Sequence, residues 1–237
     1  MSRPRAVLLD VGNTLLGWDL PRVVDALAAA GVRTDAAALE RAEAAARPAL
    51  DRALAPGRST EAAETAVRRL ALTLEALGLG AREAELPAAA AAEALRGGTP
   101  LFCRVLPGVP AALRRLRRAG LRLVVVSNSD GTVGDLLAGA GLGDLLDAVV
   151  DSGAVGVEKP DPRIFRHGLA AAGCGPQEAL HVGDLYSVDV VGARAAGVPV
   201  VLLDPYGDWG QVDCDRAPDL AAVAEGLLTG GPVTIDT

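Results

Sequence analysis

Short apolar runs that each end in a polar or small residue recur along the chain. Ala6–Leu9 runs into Asp10, Leu121–Val126 into Ser127, Ala179–Val182 into Gly183-Asp184, and Val198–Leu203 into Asp204-Pro205. A weaker run, Ala148–Val150, precedes Asp151-Ser152-Gly153. Their length and β-branched content suit strands buried on both faces. Between them lie amphipathic helical stretches. Pro110–Ala119 opens on proline and is followed by Gly120, a matched start and stop. Asp161–Ala172 and Val188–Ala196 end at Gly173 and Gly197. Strand and helix in alternation predict an α/β fold with a doubly wound parallel sheet. In such a sheet the ligand crevice lies beyond the carboxyl ends of the strands, where the polar residues just named fall.

Residues 19–96 break the alternation. They read as helices over Pro21–Ala30, Asp35–Leu54, Thr60–Leu77 and Pro87–Arg96, with Pro48 expected to kink or split the second. Alanine supplies much of the apolar count and blurs the helical period. The expected organisation is an α/β core of residues 1–17 and 98–237 interrupted by a helical domain at 18–97. Leu16-Gly17 and Gly97–Pro100 would be the hinges. After Asp219 the pattern predicts a closing helix, Leu220–Leu228, and a loose end.

Composition narrows the class of protein without changing this picture. Half of the residues are apolar and 22% are charged, as in a soluble globular protein. Aromatics are only 3%, so Ala, Val and Leu must build the core. A net charge of −7 argues against nucleic acid or an anionic membrane as the main partner. Cys103, Cys174 and Cys214 lack metal-ligand spacing and read as reduced thiols. The apolar run before Asp10 is too short for a signal peptide, and no stretch reaches membrane-spanning length, so a cytoplasmic location is expected. Lys159 is the only lysine of the chain.

Four segments carry candidate chemistry: Asp10-Val11-Gly12-Asn13-Thr14, Ser127-Asn128, Lys159-Pro160, and Gly183-Asp184 with Asp189. Each has an ordinary reading alone. The first suits a turn, Ser127-Asn128 can cap a helix beginning near Thr132, a loop lysine is usually solvated, and Asp184 can be a turn residue. Their order and spacing change the balance. LLDVGNTL, VVVSNS, EKPDPRIF and HVGDLYSVDVVGARAAG resemble, in order, the four motifs of the haloacid dehalogenase superfamily. The resemblance runs from Ala6 to about Pro205, and the helical insert looks like that family's type-1 cap. It implies a phosphatase that uses Mg²⁺ to hydrolyse a small phosphorylated metabolite. Asp10 would be the nucleophile, forming an aspartyl-phosphate. Asp10, Asp184 and the Gly12 carbonyl would hold the metal, with Asp189 bound to it directly or one step removed. Ser127, Asn128, Asn13 and Lys159 would contact the phosphate, Lys159 also neutralising Asp10. The cap would close over the crevice and exclude water. Trp18, Arg47, Arg52 and Arg58 are candidate cap contacts with substrate, each with an alternative reading as a packing or surface residue. His181, within a strand, reads as structural, and His167 carries no ligand signal.

One position departs from the resemblance. Family phosphatases usually carry a second Asp two residues after the nucleophile as general acid and base, and this chain has Gly12. A missing positioned acid costs about 10²–10⁴-fold in rate. Related dehalogenases and phosphonate hydrolases also lack that Asp. The former work without metal, and the latter need a cap lysine that residues 19–96 do not contain. The remaining explanations are another proton source, with Asp19 at the cap entrance as the candidate, or a restriction to esters with good leaving groups. Asp19 reads more readily as the N-cap of Pro21–Ala30. Phosphotransfer in the manner of a mutase, and a binding or regulatory protein without turnover, are the alternatives.

Overall fold

A computed structural model describes residues 4–54 and 59–230. In chain order its elements are β1 (Ala6–Leu9), β2 (Leu16–Trp18), α1 (Leu20–Ala29), α2 (Ala36–Leu54), α3 (Ala63–Ala76), α4 (Ala81–Leu95), β3 (Phe102–Val105), α5 (Val109–Arg118), β4 (Arg122–Ser127), α6 (Val133–Gly139), β5 (Ala148–Asp151), α7 (Ser152–Val155), α8 (Pro162–Ala172), β6 (Ala179–Gly183), α9 (Val191–Ala195), β7 (Val200–Leu203), β8 (Asp215–Ala217) and α10 (Leu220–Thr229). Six strands form a sheet in the order β5-β4-β1-β6-β7-β8. Every neighbouring pair in it is parallel. The fold is therefore the doubly wound α/β sheet that the apolar runs predict.

Side chains alternate across a strand, so both faces can be read separately. On one face Leu8, Val124 and Val126 pack with Ile164, Phe165 and Leu169 of α8. On the other, Val7, Leu9, Leu123 and Val125 are equally buried, which is why these strands are continuous apolar runs. The approach of α8 is close: a Cβ on Gly168 would lie 2.7 Å from Val126 Cγ2.

The chain divides into two compact units, one comprising the residues up to Leu16 with those from Val105 onward, the other Gly17–Arg104. Residues 98–104, read from sequence as core, cluster with the helical unit because β3 pairs with β2 in a two-stranded ribbon. Neither strand has a long apolar run to announce it. In the helical unit Trp18, Val23, Leu27, Leu39, Leu70 and Leu74 form the core with Ala84, Ala88 and Ala91. Those three alanines make the buried stripe of α4, which starts at Ala81 and runs through Pro87, where the sequence suggested a start. Glu83 fixes the true start by accepting the Gly80 N–H at 2.9 Å. The α2 helix likewise continues through Pro48, with buried positions on both sides of it. Buried among these helices is an ion cluster. Arg47 Nη2 lies 2.7 Å from Glu43 Oε2, and Arg69 Nη1 lies 3.7 Å from Glu43 Oε1. The Arg69 guanidinium stands 5.3 Å from the centroid of Phe102.

Among the described residues no helix is long and apolar enough to cross a membrane. The short β8, whose Asp-Arg-Ala sequence has no apolar pattern, was not expected.

Candidate active site

The parallel register brings the carboxyl ends of four adjacent strands together. Leu9 stands opposite Val125 of β4 and Val182 of β6, so Asp10, Ser127 and Asp184 leave the sheet side by side. Asp10 is fixed by its own backbone, its N–H donating to the Val182 carbonyl at 2.9 Å. Asp151 at the end of β5 accepts the N–H groups of Gly131, Val133 and Gly153 at 2.9–3.1 Å. It is Asp151, not Ser127-Asn128, that satisfies the start of α6. Ser127 stays at the strand end, buried, its hydroxyl turned to the Asn128 carbonyl at 3.2 Å.

Lys159 reaches the same place from the loop before α8. Asn128 clamps that loop from both sides: its Oδ1 accepts the Lys159 N–H at 2.7 Å and its Nδ2 donates to the Lys159 carbonyl at 3.0 Å. The loop is also pinned by α9, where a Cβ on Gly192 would meet Phe165 Cε2 at 2.6 Å and Pro160 Cα at 2.9 Å. The lysine side chain is buried, with Nζ 2.5 Å from Asp10 Oδ1 and 2.8 Å from Asp189 Oδ1. Asp189 comes from a single π turn, Tyr186–Val190, that precedes α9. The sequence suggested a plain α-helix there, and a π turn recurs at functional sites because it re-aims one side chain. Gly183 makes room for it: a Cβ would stand 2.2 Å from Asp189 Cγ.

Oxygens of Asp10, Asp184 and Asp189 all lie within 4.8 Å of one another, and all three residues are buried. An all-oxygen set of three carboxylates suits a hard divalent cation such as Mg²⁺. Charge points the same way. Burial pushes the Asp10 carboxyl above its usual range, Lys159 opposes this, and the Asp189 charge adds to it. Burial acts against Asp189 as well, but Lys159 and His181 outweigh it and hold its carboxyl well below the usual range. Lys159 is desolvated yet held firmly charged by Asp10 and Asp189. The two carboxylates that share Lys159 thus shift oppositely: His181 adds to Lys159 at Asp189, whereas at Asp10 burial and the Asp189 charge outweigh Lys159 and the Val11 N–H. Asp10 faces an excess of negative charge that a bound cation would neutralise.

The other candidates fall as follows. Asn13, left-handed at φ 56°, gives its Nδ2 to Asp184 Oδ2 at 2.9 Å. Thr14 Oγ1 lies 3.3 Å from Asp10 Oδ2. Gly12 bridges to Leu16 in the turn after β1. Asp19, in the helical unit, caps α1 by accepting the Arg22 N–H at 3.3 Å. Trp18 and Arg47 are interior to the helical unit and Arg52 is exposed on α2, while Arg58 lies outside the described residues. His181, read from sequence as structural, is fully buried in β6 and bonded to a site carboxylate. Its Nε2 lies 2.9 Å from Asp189 Oδ1. A polar residue inside an otherwise apolar buried strand was the available signal.

A family model described as haloacid dehalogenase-like hydrolase matches residues 4–197. The chain belongs to that family. Among curated relatives, a phosphoglycolate phosphatase of Rhodospirillum rubrum is 35% identical over 86% of this chain and 80% of its own length. A haloacid dehalogenase-like hydrolase domain-containing protein 3 of Mus musculus is 46% identical over 42% of this chain and 40% of its own length. The chain thus spans less than half the length of the first curated relatives it matches. Among solved structures, a HAD phosphatase from Thermococcus onnurineus is similar with a TM-score of 0.58 and 25% identity, covering 97% of this chain and 100% of that one. The matched stretch of the family model contains every strand from β1 to β6, and with them all four candidate motifs.

Proposed function

We propose that this haloacid dehalogenase-like hydrolase is a phosphatase of small phosphorylated metabolites that depends on Mg²⁺ and works through an aspartyl-phosphate on Asp10. The observation that carries the reading is Lys159, the sole lysine, buried between Asp10 and Asp189 at 2.5 and 2.8 Å. A buried ammonium bridging two carboxylates presents a cation where a phosphate oxygen would sit beside the nucleophile. The relative named as a phosphoglycolate phosphatase supports the same substrate class.

In this reading an Asp10 carboxylate oxygen attacks phosphorus, forming the acyl-phosphate bond as the ester P–O bond breaks and its electron pair leaves with the alcohol oxygen. Water then cleaves the acyl phosphate and restores Asp10. Ser127 and Lys159 bind phosphate oxygens. Asn128 acts by holding the Lys159 backbone, and Asn13 by holding Asp184. Asp10, Asp184 and the Gly12 carbonyl would hold Mg²⁺, which supplies charge neutralisation for the phosphate dianion. Asp189 serves the site through Lys159. Gly12 cannot carry a proton, so the departing oxygen takes its proton from water or the substrate, and esters with good leaving groups are favoured. That same glycine is the observation favouring a second reading, a family member that binds ligand without turnover.

The test is release of inorganic phosphate from a panel of phosphorylated metabolites and an aryl phosphate, with Mg²⁺ and with EDTA. Metal-dependent release that disappears in Asp10→Asn supports the proposal. Undiminished release in Asp10→Asn would falsify the nucleophile assignment, and silence across the panel favours binding without turnover.

A further inference from the structure

Behind the Lys159–Asp189 pair stands a residue that the reaction itself does not use. His181 on β6 is fully buried, and its ring meets Phe165 edge-on with centroids 5.0 Å apart. Nδ1 lies 3.1 Å from the carbonyl oxygen of Leu8, two residues before Asp10 on β1. Nε2 lies 2.9 Å from Asp189 Oδ1, the oxygen that also accepts from Lys159 Nζ at 2.8 Å. A carboxylate oxygen only accepts, so Nε2 is the donor to Asp189. The second Asp189 oxygen accepts the Leu185 N–H at 3.0 Å. Every oxygen of Asp189 is therefore held by a protein donor.

We infer that His181 is a positioning residue for Lys159, acting through Asp189. The bonds form a closed path: Leu8 carbonyl, His181, Asp189, Lys159, Asp10. It starts on β1 and ends on the residue that follows it, so the ammonium is located relative to the strand that positions the nucleophile. A lysine side chain has four rotatable bonds and, held by one partner, explores many positions. The second partner removes that freedom only if it is itself immobile, and the imidazole and the Leu185 N–H immobilise it. An apolar side chain would fill the space beside Phe165 equally well, but would take from Asp189 Oδ1 the donor it has besides Lys159.

This inference rests on the aspartyl-phosphate reading, and one measurement separates the two. Because Lys159 is the only lysine, protein carrying ¹⁵N-labelled lysine shows a single ammonium resonance, which reports the Lys159 contacts whether or not the enzyme turns over. His181→Gln keeps a donor that reaches Asp189. His181→Asn keeps one near the Leu8 carbonyl but falls short of Asp189, and His181→Leu keeps neither. His181→Asn and His181→Leu should shift the ammonium resonance and lower kcat for an aryl phosphate by about 10–100-fold, the usual cost of losing such a supporting partner. His181→Gln should restore the resonance and most of the rate. Equal losses in the Gln and Asn variants, or a resonance that none of the variants moves, would overturn the inference. If His181→Leu fails to fold, the Gln and Asn pair decides. A wild-type protein without metal-dependent release, but with the expected pattern of resonances, defeats the activity reading and leaves the positioning of Lys159 standing.

Discussion

Gly183→Ala probes the geometry of the site without removing any functional group. The added methyl would lie 2.2 Å from Asp189 Cγ and 2.6 Å from each carboxylate oxygen, whereas unbonded carbons settle at about 3.5–4.0 Å. The strand cannot yield, since Gly183 is registered against Leu202 and the neighbouring Val182 carbonyl holds the Asp10 N–H at 2.9 Å. Asp189 must therefore move, by on the order of 1.5 Å. It then loses hydrogen bonds from Lys159, His181 or Leu185. A hydrogen bond to a charged group contributes about 1.5–3 kcal/mol. Losing one, together with about 1–3 kcal/mol of overpacking, sums to roughly 2.5–6 kcal/mol. For a unit of this size the melting temperature should fall by roughly 10 °C. Gly134→Ala is the control: it sits in α6 with nothing within 4 Å of a built Cβ, and should gain about 0.5–1 kcal/mol from helix propensity. Scanning calorimetry of both variants beside an aryl-phosphate assay makes the comparison. A Gly183→Ala protein that melts with the wild type and keeps its rate would refute the placement of the Asp189 carboxylate against β6.

Gly12→Asp should restore a proton carrier and raise the rate on alkyl phosphates at least ~10-fold, a small part of what a positioned acid contributes, with a smaller gain on an aryl phosphate; equal gains on both would count against the leaving-group argument. Glu43→Ala should destabilise the helical unit by up to about 3–5 kcal/mol, because it removes a buried carboxylate that faces both Arg47 and Arg69; an unchanged urea midpoint would show that this cluster is not desolvated. Burial pushes the Cys214 thiol up to about 11. A raised pKa means less thiolate below it, so at pH 8 Cys214 should alkylate about 100-fold more slowly than a thiol at the ordinary value of 9, and about tenfold faster for each pH unit up to 11. Peptide mapping after iodoacetamide treatment at several pH values reads this directly, and rapid labelling at pH 8 would contradict it.

The strands of the sheet were legible because burial on both faces writes itself as an unbroken apolar run: Ala6–Leu9 and Ala179–Val182 were found within one residue of their ends. Very short elements were not. The ribbon strands β2 and β3 and the edge strand β8 are three or four residues long, with no run to distinguish them. Alanine hid the start of α4 for a related reason. When nearly every position carries the same small apolar side chain, the buried stripe of Ala84, Ala88 and Ala91 has no contrast with the exposed positions between.

In the site the division falls elsewhere, between which side chains reach the crevice and what they bond there. Placement at a strand end follows from the run that precedes it, and so Asp10, Ser127 and Asp184 could be assigned to the crevice from sequence. Partnership depends on residues far away in the chain. Asn13 and Asn128 are chemically the same amide and both stand next to a motif residue, yet one is spent on Asp184 and the other on both backbone groups of Lys159. His181 shows the converse. Its sequence position, inside a buried strand, reads as packing, and only the return of the chain through the π turn brings Asp189 to its Nε2. The same return explains the glycine before Asp184. Gly183 is required not by its own backbone, which is ordinary strand, but by a carboxylate six residues later that occupies the space of its missing side chain. The sequence puts both residues in one motif, but only the π turn shows that the second fills the space beside the first.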